Sequence, residues 1–391
     1  MPTLDECVGN PAVFPVVSNW NYLNHAGISP LARPVADAIA ATIESFAREA
    51  YLGGAGFGEV SRLRESMGRL INAEPARIAI LKNTAEAIST VAFGINWQRG
   101  DRIVTADTEY PANVYPWMEV ARRHGVELVM VPERDREDGT RSISADELLE
   151  SAAHPRCRLV ALSHVQFGTG QRMPIERIGR WCRENGRLFC VDAIQSLGAL
   201  PVDVKAMCID FLASGSQKWL LGPVGAAVLY IDGGWIERLP PLVVGAYSVV
   251  DPDNYDRYDY TLPADCRRHD SGTMPLLAIT GLRAAVDLLL DVGIEAIERQ
   301  IRRVTDHLVN GLRNRGCRVV SPRDADHWSG IVSFLPRGPA DLNQQAIQLR
   351  KRHRIELVVR AGRLRASPHF YNTAEQMDQL VDAIGAADER Q

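Results

Sequence analysis

Lys218 lies in an unusually apolar stretch for a lysine, Phe211–Tyr230, which reads FLASGSQKWLLGPVGAAVLY. Only four of the chain's 44 Lys and Arg residues are lysines. A lysine amine that is removed from water can lose its proton and act as a nucleophile, whereas arginine keeps its charge. A lysine at a strand edge with its amine in solvent would show the same pattern. Lys218 is therefore a candidate for covalent chemistry.

Asp192 ends an apolar run within Leu188–Gln195 (LFCVDAIQ). This pattern predicts a buried parallel strand that presents polar groups at its carboxyl end, where α/β sheets bind ligands. An acid in this position can also be a helix cap. Together, however, an Asp at one strand end and a desolvated lysine on a later strand are what pyridoxal 5′-phosphate (PLP) requires. The lysine forms a Schiff base with it, and the carboxylate keeps the pyridine nitrogen protonated.

The motifs VDAIQS and SGSQKWLLGPVG resemble those of class V aminotransferases and cysteine desulfurases, which are PLP-dependent enzymes of fold type I. The resemblance extends from about Tyr22 to the end of the chain. It implies an α/β protein whose large PLP-binding domain, residues 21–270, contains a mainly parallel seven-stranded sheet flanked by helices. A smaller α+β C-terminal domain, residues 271–391, is expected to follow, with residues 1–20 packed on it.

Length and composition agree with this class. The 391 residues allow two domains, and 46% hydrophobic with 24% charged residues is typical of soluble globular proteins. The net charge of −4 argues against a nucleic-acid partner. No apolar run reaches the roughly 18–20 residues of a membrane helix, and the acidic start MPTLDECVGN does not resemble a signal peptide, so we expect a cytoplasmic protein. The seven scattered cysteines predict neither a disulfide framework nor a metal site.

Apolar runs alternate with amphipathic stretches between Ile78 and Asp192, which predicts a parallel sheet with crossover helices. Helices are expected to begin near Thr84, Pro111, Ala145 and Ile175. The expected strands are Ile78–Lys82, Arg102–Ala106, Val126–Val131, Leu159–His164 and Leu188–Val191.

The segment Leu81–Thr90 (LKNTAEAIST) predicts a helix that starts directly after a strand, with Asn83 and Glu86 as a capping pair. The free N–H groups of such a helix can bind phosphate, although a capping box alone explains the pattern. The resemblance implies that Thr84, Ala85 and Glu86 bind the cofactor phosphate.

Four further cofactor contacts and a dimer are implied by the resemblance. Tyr110 takes the place of the ring-stacking residue, which is histidine in desulfurases, although a core tyrosine is the alternative. Gln195 corresponds to the residue that hydrogen-bonds the phenolic oxygen of the ring. Gln217 replaces the desulfurase histidine, as in alanine–glyoxylate-type aminotransferases, and can donate to the phosphate. Gly272 and Thr273 correspond to a pair that reaches the phosphate of the other subunit, which implies a homodimer.

Substrate contacts are expected in two places. Arg365 corresponds to the residue that pairs with the substrate carboxylate, for which a planar guanidinium is suited. The turn WNYLNHAGISP places Asn24, His25, Ala26 and Gly27 at the substrate entrance, although His25 can equally belong to a capped turn. Phe167, preceded by Gln166, replaces an asparagine of the desulfurases.

These features imply a PLP-dependent enzyme that acts on a small L-amino acid through a Schiff base, and the Gln217 pattern favours aminotransferase-type chemistry. The desulfurase loop that carries the persulfide-forming cysteine is shortened between Arg360 and Arg365, and no cysteine follows Cys317. Three alternatives stay open: β-elimination by a C–S lyase, and a kynureninase-like or an epimerase-like reaction. A nicotinamide-dependent oxidoreductase has the same strand–helix alternation, but GGAGFG at 53–58 does not fit GxGxxG.

Overall fold

The computed structural model describes residues 2–54, 56, 58–339 and 341–388. Its helices are α1 Leu4–Cys7, α2 Arg33–Glu49, α3 Glu59–Ile71, α4 Thr84–Gly94, α5 Tyr115–His124, α6 Ala145–Ala152, α7 Ile175–Glu184, α8 Leu276–Val292, α9 Ile294–Asn314, α10 Leu342–His353 and α11 Ala374–Asp388. Its strands are β1 Asn21–Tyr22, β2 Ile78–Leu81, β3 Arg102–Ala106, β4 Glu127–Val131, β5 Arg134–Asp135, β6 Arg141–Ser142, β7 Cys157–Ser163, β8 Leu188–Asp192, β9 Phe211–Gly215, β10 Ala227–Ile231, β11 Arg318–Val319, β12 Val332–Leu335, β13 Ile355–Glu356, β14 Val358–Arg360 and β15 Arg363–Ala366.

The large sheet has seven strands in the order β2-β10-β9-β8-β7-β3-β4. β10 is antiparallel to both of its neighbours, and the other pairings are parallel. The predicted α/β class and mainly parallel seven-stranded sheet are therefore confirmed. Both faces of the sheet are covered, as parallel sheets require. On β7, for example, Leu159 and Ala161 belong to one hydrophobic cluster, whereas Val160 and Leu162 belong to another on the opposite face.

The predicted elements of this sheet agree with the observed ones to within two residues at their ends. β3 has the predicted bounds, and α4, α6 and α7 begin where they were expected. The helix predicted to start at Pro111 begins later. A short 3₁₀ turn, Pro111–Asn113, comes first, and α5 begins at Tyr115.

The second sheet is antiparallel and has the order β11-β12-β15-β14. It packs around a separate hydrophobic cluster that includes Leu308 of α9 and Leu380 of α11. The N-terminal segment contacts the chain just before α11, where the rings of Phe14 and Tyr371 stack at 3.9 Å between centroids. The domain limits 21–270 and 271–391 remain a prediction. None of the helices in the described part of the chain is long and apolar enough to cross a membrane.

Candidate active site

Several of the predicted site residues lie at the carboxyl edge of the large sheet. Asp192 is the last residue of β8, and Lys218 follows β9 by three residues. Thr84 and Tyr110 follow β2 and β3, and Phe167 follows β7. Because these strands are parallel, their carboxyl ends bring the side chains to one edge, which is where open α/β sheets bind ligands.

The carboxylate of Asp192 is buried and only half satisfied. Oδ1 accepts a 2.9 Å hydrogen bond from the backbone N–H of Ile194, whereas Oδ2 is buried without a partner among the described residues. Burial raises the pKa of Asp192, the negative charge of Glu109 raises it further, and the positive charge of Lys218 opposes both. A buried oxygen without a donor indicates a missing partner. A protonated pyridine nitrogen has the chemistry to be that partner.

Lys218 is buried, with 8% of its surface exposed, and its Nζ lies 5.3 Å from the centroid of the Tyr110 ring. Burial lowers the pKa of its amine, Asp192 opposes this shift, and Arg365 and Arg360 reinforce it. The main chain of Lys218 is held in place, because Ser29 Oγ donates a 2.5 Å hydrogen bond to its carbonyl. The amine is thus desolvated and held close to an aromatic ring.

The start of α4 has polar groups that are suited to binding an anion. Asn83 Oδ1 accepts a 2.9 Å hydrogen bond from the N–H of Glu86, so this N–H serves the helix cap. Thr84 Oγ1, in contrast, is buried without a partner in the described residues. A Cβ atom on Gly215 would lie 2.6 Å from Gln217 Oε1 and 3.0 Å from Thr84 Oγ1, so a larger residue here would crowd these two side chains. A phosphate fits a helix N-terminus with such donors, and together with the unpaired Asp192 oxygen this arrangement fits PLP.

Gln195 is fixed from two sides. Its Oε1 accepts a 2.9 Å hydrogen bond from Trp219 Nε1, and its Nε2 donates to the carbonyl of Ala26 at 3.1 Å. An amide nitrogen carries two hydrogens, so one N–H of Gln195 is left for another acceptor. This geometry is compatible with the predicted contact to the ring oxygen.

Tyr110 and Phe167 meet edge to face, with ring centroids 5.3 Å apart and an interplanar angle of 84°. Tyr110 is partly exposed, and its ring faces the amine of Lys218. The core-tyrosine alternative is therefore not supported, whereas ring stacking remains a prediction.

In the turn at residues 24–27, His25 and Asn24 differ in how their polar atoms are bonded. His25 is fully buried, and burial keeps its pKa well below the ordinary value, so the ring is neutral. Its Nδ1 donates to the carbonyl of Ser367, and its Nε2 accepts from the hydroxyl of Tyr371, both at 2.8 Å. Neither nitrogen is left for a substrate carboxylate, which favours the structural alternative for His25. Asn24 differs, because its Oδ1 is buried and unpartnered in the described chain.

Arg365 is 2% exposed and has its guanidinium at the loop after β7. Its Nη1 donates a 2.9 Å hydrogen bond to the carbonyl of Phe167, and its Nε is buried without a partner in the described residues. Burial lowers the pKa of Arg365 to about 10, and the charge of Arg360 contributes to the shift. A guanidinium in this state is prepared to pair with a carboxylate.

The loop before Arg365 is a tight hairpin turn. Only Ala361 and Gly362 separate β14 from β15, and their φ angles are 49° and 71°. Two consecutive residues with positive φ are typical of a two-residue hairpin turn, for which glycine is favoured. Arg365 therefore lies on the second strand of the hairpin, three residues after the turn.

Gly272 and Thr273 line a small cavity of about 60 Å³ together with Lys82 and Glu86 of the same chain. This places the pair beside the start of α4. The predicted contact with the phosphate of a second subunit remains a prediction.

Sequence analysis missed Glu109, the residue before Tyr110. Its buried carboxylate accepts hydrogen bonds from the N–H and hydroxyl of Ser163, from Gln166 Nε2 at 2.6 Å and from Asn113 Nδ2 at 2.8 Å. Burial raises its pKa, and the hydrogen bonds oppose the shift. Glu109 orders the ends of β3 and β7 beside the cofactor site. An acid in the turn after a buried strand was the available signal.

No group of three or more His, Cys, Asp or Glu side chains in the described residues is placed to hold a metal ion.

Similarity to known proteins agrees with the geometry. The family Aminotransferase class-V matches residues 21–380. A probable cysteine desulfurase of Pyrococcus abyssi is 32% identical over 82% of this chain and 81% of its own, and isopenicillin N epimerase of Streptomyces clavuligerus is 32% identical over 83% of both chains.

Solved structures of C-DES are also similar. One, with glycine covalently linked to the PLP cofactor, is 25% identical, with a TM-score of 0.88 over 96% of this chain and 99% of that one. Another shows C-DES, a cystine C–S lyase, with its product cysteine persulfide, at 26% identity and a TM-score of 0.85 over 95% and 99%. From the family match, the fold and the fit of the site to the cofactor, the chain belongs to the class V aminotransferase family and is a PLP-dependent enzyme of fold type I.

Proposed function

We propose that the protein carries out aminotransferase-type chemistry on a small L-amino acid, and that the reaction begins with removal of the proton from Cα. The observation that carries the proton-removal step is a desolvated amine, Lys218, near a buried guanidinium, Arg365, which has no carboxylate partner in the described chain. One group can move a proton, and the other can fix a substrate carboxylate beside it. Among the reactions that begin with this step, the Gln217 pattern favours transamination.

The cofactor, when bound, supplies a ring that stabilises negative charge at the substrate Cα. In our proposal Thr84, Ala85 and Gln217 hold its phosphate, while Asp192 holds the proton on its ring nitrogen. Glu86 supports this site through the cap of α4, because its N–H donates to Asn83 Oδ1. Tyr110 covers the ring.

Lys218 moves the substrate proton. Because burial lowers the pKa of its amine, the neutral form that accepts a proton is more populated near neutral pH than for an exposed lysine. Arg365 orients the substrate by its carboxylate, so that the Cα–H bond faces Nζ. The ring of Tyr110, which meets Phe167 edge to face, lies beside this amine.

A thiol is not part of the proposed mechanism. Six of the seven cysteines are buried, and Cys208 is intermediate. Burial raises the pKa of Cys7 and Cys157 to about 11 and that of Cys266 to about 12, which suppresses the reactive thiolate. The two-residue turn at Ala361 and Gly362 carries no cysteine. These features argue against a mechanism that forms a persulfide on a cysteine of the enzyme itself.

β-Elimination from a cysteine-like substrate is the second candidate. It is favoured by the similarity to C-DES, which is a cystine C–S lyase. The same two groups, Lys218 and Arg365, would serve this reaction. Similarity to isopenicillin N epimerase keeps an epimerase-like reaction as a further outcome of the test.

A screen of L-amino acids on the holoenzyme distinguishes these reactions. Each amino acid is incubated with a keto-acid acceptor, and keto acid, pyruvate, sulfide, ammonia and the D-enantiomer are measured in parallel. Keto-acid formation that depends on the acceptor supports an aminotransferase. Release of ammonia with pyruvate or sulfide would establish elimination instead, and formation of a D-amino acid would establish an epimerase.

We also propose that the enzyme is a homodimer in which Gly272 and Thr273 reach the phosphate site of the other subunit. The support is an exposed apolar segment just before them, which contains Leu242, Val243, Val244, Tyr247, Val250, Tyr255, Tyr258 and Tyr260. Exposed patches of this kind mark protein interfaces. A two-fold dimer is the most common arrangement for soluble oligomers.

A further inference from the structure

Three arginines share one face of the β14–β15 hairpin. Arg360 pairs with Arg363 across the two strands, and Arg365 lies two residues further along β15. Residues directly opposite one another, and residues two apart on a strand, point to the same side of a sheet. The other side of the hairpin carries Val359 and Leu364, which pack in the hydrophobic cluster of the second sheet.

Among the described residues, only one of the three arginines has a carboxylate partner. Arg363 lies 3.5 Å from Glu133, which also pairs with Arg141 at 3.0 Å. Arg360 and Arg365 form no ion pair within 4.0 Å in the part of the chain that the structure describes. Their hydrogen bonds go to backbone carbonyls, from Arg360 to that of Val359 and from Arg365 to that of Phe167, both at 2.9 Å.

The hairpin tip lies against the loop that forms the site. A Cβ atom on Gly168, next to Phe167, would lie 3.7 Å from the Cβ of Ala361, the residue after Arg360. The carbonyl of Gly168 is held by Ser333 Oγ at 2.7 Å, so this contact joins two ordered elements. Arg360 is exposed and Arg365 is buried. The side chain of Arg360 therefore lies at the protein surface, and that of Arg365 lies in the interior.

The charge of Arg360 reaches the reactive groups. It lowers the pKa of Lys218 and also that of Arg365, although burial is the larger cause in both cases. Positive charges near an amine disfavour its protonated form, and an anion bound between them offsets this effect. A substrate with a single carboxylate compensates one of them and leaves the other.

We propose that the substrate is an acidic L-amino acid: Arg365 binds its α-carboxylate, and Arg360 binds a second carboxylate at the end of its side chain. This inference rests on the proposed function, because it names the substrate class of the same site. Charge-assisted pairing with a guanidinium favours a carboxylate over a neutral amide of the same shape. The site then discriminates aspartate-like or glutamate-like substrates from their amides.

The test uses binding of unreactive probes to the holoenzyme. Succinate and its monoamide, succinamate, have nearly the same size, but only succinate has two carboxylates. Their dissociation constants are measured by isothermal titration calorimetry for the wild type, for Arg360→Gln and for Arg352→Gln. The last variant is a control that removes the same charge from an exposed position on α10.

We expect succinate to bind the wild type and the Arg352→Gln control about 10-fold more tightly than succinamate, which is the ratio that one charge-assisted pair supplies. In Arg360→Gln this preference should fall to about 2-fold or less, with little change for succinamate. Equal binding of both probes to the wild type, or a full preference retained in Arg360→Gln, would overturn the inference.

The outcome of this binding test can be distinguished from the outcome of the test of the proposed function. If the amino-acid screen finds elimination instead of transamination, a preference for succinate that depends on Arg360 still supports an acidic substrate. If the screen finds transamination but the two probes bind equally, only the inference about the substrate fails.

Discussion

Arg365 Nη1 donates a 2.9 Å hydrogen bond to the carbonyl oxygen of Phe167. Because the acceptor belongs to the main chain, the contact does not depend on the side chain at position 167. The chain can therefore carry Phe at position 167 and still hold the guanidinium of Arg365. The side chain of Phe167 is then available to pack against Tyr110.

The first prediction follows from this contact. Arg365→Lys keeps the positive charge but loses the planar, two-pronged geometry, so it should raise the KM for the amino acid roughly 10- to 100-fold while the absorbance of the bound cofactor stays unchanged. Arg363→Lys is the matched control on the same strand, since a lysine can still pair with Glu133. Steady-state kinetics on both variants provide the measurement. Similar KM values for the two variants would speak against the role of Arg365.

Lys218 is expected to carry the cofactor. Borohydride reduction of the yellow holoenzyme should fix the cofactor to the peptide that contains Lys218, and peptide mass spectrometry would locate it. Lys218→Ala should remove the label, whereas Lys82→Ala should keep it, because Lys82 is an exposed residue outside the buried pocket. A label on Lys82 or Lys205 would refute the assignment.

Asp192 gives a prediction about pH. Burial raises its pKa in the folded protein, so between the ordinary value of 3.8 and the raised one the folded state binds more protons than the unfolded state. The free energy of unfolding of the cofactor-free protein therefore falls as the pH rises through this window. Glu109 strengthens the effect and Lys218 weakens it.

Asp192→Asn removes this ionisation. As the pH is raised from about 4 to 8, we expect the melting temperature of the cofactor-free variant to rise relative to that of the cofactor-free wild type. Turnover of the holoenzyme should fall at least about 100-fold, because the ring nitrogen loses its carboxylate partner. Thermal unfolding across this pH range measures the first effect. A constant difference in melting temperature, or near-normal turnover, would show that Asp192 has another role.

The sequence was sufficient for elements whose signal is local. The apolar runs that became β3, β7 and β8 are recognisable because both faces of these strands are buried. Asn83 and Glu86 likewise predicted the start of α4, because a helix cap is a contact between residues three positions apart. The mainly parallel seven-stranded sheet was implied by the family resemblance, whereas its strand order was not predicted. Lys218 was singled out by its apolar neighbours in the sequence.

Contacts between segments that are far apart in the sequence could not be predicted from local patterns. His25 meets Ser367 and Tyr371 across more than 340 residues, and no local pattern indicates that both of its ring nitrogens are used. The buried carboxylate of Glu109 likewise depends on Ser163 and Gln166, which lie on another strand end. Arg360 was visible only as part of a family motif, and its lack of a partner appears only in three dimensions.

A shared active site predicts that inactive subunits can restore each other. Lys218→Ala and Thr273→Ala are prepared separately, and Thr273→Ala should be impaired because it loses a phosphate contact. If Thr273 serves the other subunit, mixing equal amounts under conditions of subunit exchange should recover about a quarter of wild-type activity, since half of the dimers are mixed and each has one intact site. If Thr273 serves its own subunit, mixing should recover nothing. Light scattering of each variant checks that both remain dimers.

The most direct test of the proposed chemistry is a single turnover of the wild-type holoenzyme without a keto-acid acceptor. The enzyme is mixed with an excess of the best L-amino acid from the screen, and keto acid, ammonia and sulfide are quantified per subunit. We expect about one keto acid per active site, loss of the yellow colour and no ammonia or sulfide, because the amino group stays on the cofactor. Continuous release of ammonia with keto acid, or a persulfide on one of the seven cysteines, would contradict the proposed chemistry.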